Sequence, residues 1–180
     1  MKLLKRVTDS DFYGGVPEYL SYITRYGSRG ILIDDNFNIA LMFLSKMDLY
    51  KLPGGGIEQG ETKEQAFLRE ILEETGYNAI VIDELGYIEE HKNRNIFMQY
   101  SYCFIAKVYG DSRETYLSEN EIKLGMELRW MTIKEALALM VKSLDKCEDY
   151  KAKFMILRDK IILETGVLKI QQYYKEHIQI

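Results

Sequence analysis

The sequence predicts an α/β fold in which a mixed β-sheet lies between helices. Strand-like apolar runs stand on both sides of a capped amphipathic helix between Thr62 and Gly76. A second capped helix follows the last predicted strand, and a helical tail closes the chain.

Residues 1–27 are polar and aromatic, and Tyr19, Tyr22, Ile23 and Tyr26 suggest a strand or an arm, equally suited to packing on a partner subunit. Gly30–Ile33 and Ile39–Leu44 flank the polar Asp34-Asp35-Asn36 and read as a hairpin. It leads through Lys51-Leu52-Pro53 into Gly54-Gly55-Gly56. Thr62 is placed at a helix N-cap, with Gln65 completing a capping box and Gly76 as the stop. Ala79–Ile82 and Leu85–Glu90 read as strands, His91–Asn95 as a polar loop and Phe97–Val108 as a long strand rich in β-branched and aromatic residues. A loop from Tyr109 to about Lys123 precedes a short strand, Glu127–Met131, whose Trp130 is expected in the core. Thr132 then caps a helix over Lys134–Val141. In residues 148–165, Phe154, Leu157 and Ile161 recur at helical spacing, and Gly166 is expected to end that helix before a shorter one with Leu168 and Tyr173. Covering the core leads over a homodimer contact as the role of this buried face.

The chain has 180 residues, 47% hydrophobic and 29% charged, which suits one domain over 1–180: an N-terminal arm or strand at 1–27 and a C-terminal helical extension at 148–180. A net charge of −4 argues against nonspecific nucleic-acid binding. Cys103 and Cys147 have no CxxC spacing, so buried thiols are expected rather than zinc or a disulfide. With no apolar run near 18 residues and no leader-like start, a soluble cytoplasmic protein without membrane contact is expected.

The 62–76 helix carries the chemistry. At about 100° per residue, Glu70, Glu73 and Glu74 fall within about 100° of one another, while Phe67, Leu68, Ile71 and Leu72 take the other side. Glu70 and Glu74 form a like-charged i,i+4 pair, which destabilises a helix unless something offsets it. A divalent cation bound by hard oxygen ligands is one remedy, and a solvated face is the other reading. Three successive glycines at the helix entrance permit close approach to the main chain and favour the first.

Gly55, five residues, Glu61, seven residues, Arg69-Glu70-Ile71, one residue, Glu73-Glu74, one residue, Gly76 and Tyr77 resembles the Nudix box of the MutT-like pyrophosphohydrolases. Tyr77, where an aliphatic residue is commoner, is the one departure inside the box. The resemblance implies a Nudix-type α/β/α sandwich and a metal-dependent hydrolase that cleaves a diphosphate bond in a nucleoside diphosphate-linked substrate, with Mg²⁺ (or Mn²⁺) as cofactor. It further implies Glu70, Glu73, Glu74 and the Gly54 carbonyl as metal ligands. Arg69 would orient Glu73, and Glu61 would hold the loop against the helix. Glu73 leads as general base, with Glu119 or Glu121 next and Glu127 also a candidate. Absence of a proline after Pro53 counts against ADP-ribose. (Deoxy)nucleoside triphosphates, oxidised ones included, lead as substrates, with dinucleoside polyphosphates and nucleotide sugars behind. The alternative is a non-catalytic Nudix-like nucleotide sensor, which would not need Glu70, Glu73 and Glu74 together.

Outside the box, Arg29, Lys46 and Lys51 near the hairpin could contact phosphate; a solvated charge is the safer reading for each, and Arg29 and Lys46 are kept as candidate phosphate contacts. Phe97, Tyr100 and Tyr102 are candidates to stack a base. His91 and His177 are expected at the surface, which gives little basis for a Ser-His-Asp triad or a His-rich metal site.

Overall fold

The computed structural model describes residues 1–178, with side chains through residue 176; the surface position expected for His177 lies outside the described side chains. In chain order the elements are β1 (Leu3–Thr8), α1 (Ser10–Tyr13), β2 (Arg25–Ile33), β3 (Ile39–Leu44), β4 (Leu49–Lys51), β5 (Gly54–Gly56), α2 (Lys63–Thr75), β6 (Asn78–Lys92), β7 (Phe97–Tyr109), α3 (Glu119–Lys123), β8 (Met126–Met131), α4 (Ile133–Lys146) and α5 (Tyr150–Ile178). One mixed sheet has the order β1-β6-β7-β2-β3-β4, with β5 added to β2 and β8 to β3. The β1–β6 and β2–β7 pairs are parallel and the others antiparallel.

Strand alternation divides the core between two faces. Leu32, Phe104 and Ala106 pack with Phe67 and Ile71 of α2, where the Phe67 and Phe104 rings stack at 5.6 Å. Ile31, Ile33, Cys103 and Ile105 face the other way, onto Met140 of α4 and Phe154, Ile156, Ile162 and Leu163 of α5. The expected α/β/α sandwich is therefore present, and the tail covers the core.

The hairpin forms as predicted, with Ile33 opposite Ile39. Asp34 Oδ1 accepts from the Asn36 and Asn38 amides at 2.9 and 2.7 Å, closing the turn while Phe37 takes a positive φ of 61°. Within the expected N-terminal arm, β1 pairs with β6 over Leu3–Thr8.

Several expectations are corrected. Ala79–Ile82 and Leu85–Glu90 belong to the single strand β6, whose register shifts between Val81 and Asp83 and between Glu84 and Gly86 are bulges, not a break. The strand runs on through His91 and Lys92, so the polar turn shrinks to Asn93–Asn95. His91 is buried, not a surface residue: Leu20 N donates to its Nδ1 at 3.0 Å, and Tyr19 packs edge-on against its ring. Residues 119–123, expected as loop, form α3 because Ser118 and Glu121 make a capping box. Trp130 is half-buried at the margin of the α2 layer, edge-on to Tyr77 at 5.7 Å, rather than central.

Gly166 does not end a helix. A glycine stops a helix by taking a left-handed conformation, and Gly166 is not among the positive-φ residues. It instead lets α5 lie close to the sheet, since a Cβ there would fall 2.2 Å from Ile31 Cδ1. No helix among the described residues is long and apolar enough to cross a membrane.

Candidate active site

The glycine triplet is a strand rather than a free loop. Gly56, Gly55 and Gly54 stand opposite Gly27, Ser28 and Arg29, so β2 carries it. Gly54 has a φ of 135°, a conformation L side chains rarely adopt, and a Cβ there would meet Arg29 Cβ at 2.3 Å. From the same strand, Ser28 Oγ donates to the Lys63 carbonyl at 2.6 Å, tying β2 to the first turn of α2. That turn has the capping box read from the sequence: Gln65 N donates to Thr62 Oγ1, and Thr62 N donates to Gln65 Oε1.

Arg69 joins loop and helix. Its Nε donates to Glu61 Oε1 at 2.7 Å and its Nη2 to the Gly56 carbonyl at 2.9 Å. Its Nη1 donates to Glu70 Oε1 at 3.0 Å and to Glu73 Oε2 at 2.9 Å. Hydrogen bonding to Glu61 raises the guanidinium above its ordinary value and lowers the Glu61 carboxyl.

Glu74 is differently placed. It is fully buried, its Oε1 lies 2.5 Å from Lys51 Nζ, and its Oε2 accepts from Gly54 N at 2.9 Å. Burial pushes its carboxyl up to about 7 despite the ammonium beside it. The Gly54 carbonyl faces two cations, Lys51 Nζ and Arg29 Nη1, each at 3.5 Å. Lys51, expected as a solvated charge, is thus buried within the site.

Among the described residues, no three carboxylate, imidazole or thiol groups converge as a ready cation site. The donor set nevertheless suits a hard divalent ion. A Cβ at Gly55 would lie 2.3 Å from Glu70 Oε1, so the missing side chain makes the space this carboxylate fills. Burial raises the Glu70 carboxyl, which a neighbouring cation would reverse. Glu70 and Glu73 already lie close enough to share one guanidinium nitrogen.

On the α5 side of the glycine strand opens a cavity of about 760 Å³. Gly54, Gly55, Arg29, Lys51, Lys92 and Arg158 line its polar part. Arg29 is buried in its wall, whereas Lys46 is exposed in the β3–β4 turn and is not among its lining residues. Of the loop acids, Glu121 lines this cavity while capping α3. Glu119 is exposed beside Lys123, and Glu127 pairs with Arg129 on β8.

Beneath the cavity lies a buried charge network that sequence reasoning missed. Arg158 Nη1 meets Glu90 Oε2 at 3.0 Å, and Arg158 Nε meets Asp159 Oδ1 at 2.8 Å. Asp159 Oδ2 accepts from Leu52 N just before the glycines. Burial alone would raise the Glu90 carboxyl, but Arg158, Lys92 and Arg29 hold it down to about 2. One signal was available: Arg158-Asp159 interrupts an apolar helix stripe, and Glu90 and Lys92 share the inward parity of Ile88.

The candidate base stackers divide by the same parity. Tyr100 and Tyr102 share the α2 face with Tyr26 and Tyr87, and Tyr26 and Tyr102 line a second cleft of about 720 Å³ beside Glu61 and Lys63. Phe97 is on the opposite face, near Lys92.

Comparison with known proteins follows the same lines. The NUDIX domain matches residues 25–150, from the start of β2 to the start of α5. A Bacillus subtilis (strain 168) protein named "Putative 8-oxo-dGTP diphosphatase" is 34% identical over 84 residues, 47% of this chain and 54% of that protein, so about half of its length is spanned. Among solved structures, a NUDIX hydrolase from Nitrosomonas europaea aligns with a TM-score of 0.59 and 17% identity over 84% of this chain and 90% of its own. The MutT protein of Methanosarcina mazei Go1 aligns with a TM-score of 0.53 and 18% identity over 87% and 99%. At these identities the structural likeness is one of fold. With the matched domain covering well over half of its length, the chain belongs to the NUDIX family.

Proposed function

We propose that this chain is a hydrolase that cleaves a diphosphate bond in a nucleoside diphosphate-linked substrate, with (deoxy)nucleoside triphosphates as the leading class. The observation that carries this reading is the junction of two unlike surfaces at Gly54–Gly55: carboxylates Glu70 and Glu73 on one side and a cation-lined cavity on the other. A diphosphate needs both, cations to bind its charge and a carboxylate to accept the proton of the attacking water. The name of the Bacillus relative adds support for a nucleoside triphosphate.

Glu70 and Glu73 would hold a divalent cation, Mg²⁺ or Mn²⁺, whereas Glu74 and the Gly54 carbonyl, both engaged by Lys51, would join the set only by exchanging that ammonium for the ion. The ion supplies charge neutralisation at phosphoryl oxygens and a lowered pKa for bound water. The protein's own groups divide the remaining work. Arg69 fixes the direction of Glu73, which takes the proton. Glu61 and the Gly56 carbonyl fix Arg69 in turn. Arg29 and Lys51 bring positive charge to the Gly54 carbonyl, at the edge where a diphosphate would be bound.

The test is turnover of a panel of nucleotides with Mg²⁺ or Mn²⁺, products being identified by mass spectrometry. Glu73→Gln is expected to lose at least about 100-fold in kcat, within the range for a general base. Tight nucleotide binding without product from any panel member would replace the enzyme by a sensor, and an unchanged Glu73→Gln rate would remove Glu73 from its role.

A further inference from the structure

The floor of the α5-side cavity holds more hydrogen-bonding capacity than the protein uses. Arg29 and Arg158 are 4% and 3% exposed, and both line the cavity. Among the described residues, Arg29 Nε and Arg158 Nη2 have no hydrogen-bond partner. A buried guanidinium donor without an acceptor has given up water and received nothing in exchange, so such atoms mark a site where an acceptor is expected.

The surrounding charge has the matching sign. On this face of the sheet four buried cations, Arg29, Lys51, Lys92 and Arg158, stand against three buried carboxylates, Glu74, Glu90 and Asp159; the fourth buried carboxylate, Glu89, has the opposite strand parity and pairs with Arg6. At the rim, Arg25 and Lys151 are exposed and make no ion pair within 4 Å among the described residues. The rim acids Glu121 and Asp149 keep their charge but are turned to backbone amides, Ser118 N and Ala152 N, each at 2.8 Å, so floor and rim together set six cations against five carboxylates. Burial first, and then repulsion from Arg158, lower the Arg29 guanidinium to about 10. Lys151 and Arg158 come from α5, beyond the span matched by the family domain.

Resting on the diphosphate hydrolase reading, in which the Gly54–Lys51 edge of the cavity meets the cleaved diphosphate, we propose that its remainder is a subsite for one further phosphate of the substrate, bound by Arg29 and Arg158 at the floor and by Arg25 and Lys151 at the rim. The extra phosphate has two sources, the third member of a polyphosphate chain or a monoester elsewhere on the nucleotide.

Calorimetry on the full chain in EDTA separates these without turnover, using pyrophosphate, tripolyphosphate and adenosine 3′,5′-bisphosphate as probes. Tripolyphosphate is expected to bind at least about tenfold tighter than pyrophosphate, the scale of one charge-assisted contact. The double variant Arg25→Ala/Lys151→Ala, confined to exposed side chains, is expected to lose that advantage. Lys160→Ala, which removes a charge paired with Glu164 on the same helix, is expected to retain it. An advantage shown by the bisphosphate instead, and lost in the double variant, supports the subsite with a monoester as its ligand. The proposal is overturned if neither probe exceeds pyrophosphate, or if the advantage survives in the double variant. Failure of the hydrolase reading is separate: it is absence of turnover with Mg²⁺, whatever the calorimetry gives.

Discussion

Replacing Gly55 by alanine perturbs one thing in this site. Gly55 does not have the positive φ of Gly54, so alanine is tolerated by the backbone. The new methyl would lie 2.3 Å from Glu70 Oε1, 2.5 Å from its Cδ and 2.6 Å from Oε2. Real Cβ atoms essentially never come within 3.0 Å of such a neighbour, so the carboxylate must retreat by about 0.7 Å. Misplacement on the order of 1 Å costs up to about 100-fold in rate, so a 10- to 100-fold fall in kcat is expected, about 1.4–2.7 kcal/mol of barrier. Glu70 is partly exposed and can move toward solvent, so the urea midpoint should barely change. Initial rates of Mg²⁺-dependent product release from dGTP, read beside urea melts, make the measurement. Adding Glu70→Asp to Gly55→Ala draws the carboxylate back by about 1.5 Å, one C–C bond, and should recover part of the rate. A single Gly55→Ala variant within threefold of the parent rate would refute the reasoning, because the methyl would then have displaced nothing that matters.

Further outcomes follow from the same structure. Glu90 has a folded-state pKa near 2, below its ordinary value, so its stabilising contribution is complete above the ordinary carboxylate range and is lost as pH falls toward 2. That contribution is on the order of 3 kcal/mol; urea melts at pH 7 and pH 3 should show Glu90→Gln less stable than the parent at pH 7 but with a flatter acid limb, and parallel limbs would contradict it. Thr62→Ala removes half of a capping box and should cost about 1 kcal/mol, a fall in Tm of about 2–4 °C for a chain of this size, measurable by calorimetry.

Local rules explain what was legible in the sequence. The hairpin at Asp34–Asn38 and the helix between Thr62 and Gly76 are determined by turn and cap chemistry within a few residues, so both were read from the chain. The acidic face of α2 came from helical spacing, and its meeting with Arg69 from an i,i+4 neighbour. What escaped depends on partners far along the chain. Glu90 meets Arg158 across 68 residues, and Lys51 meets Glu74 across 23. Polar neighbours give His91 the look of a surface residue, yet those neighbours continue a strand whose opposite edge is covered by β1. Glycine at a helix end usually is a stop, and it is the nearness of the sheet, Ile31 above all, that explains Gly166 in mid-helix.

Strand β2 has a consequence for how this protein can change. Its odd positions, Arg25 and Arg29, belong to the cavity; Ser28, between them, anchors the helix that carries the carboxylates. Because neighbours on a strand point to opposite sides, the cavity wall and the anchor of the carboxylate helix are interleaved along one backbone. If the cavity is the proposed subsite, substitutions at 25 or 29 would change which molecules are accepted while leaving the Ser28 grip on α2 intact. Inserting a single residue ahead of Arg25 shifts only the preceding segment, whereas one inserted between Arg25 and Ser28 would exchange the two faces upstream of it and uncouple them.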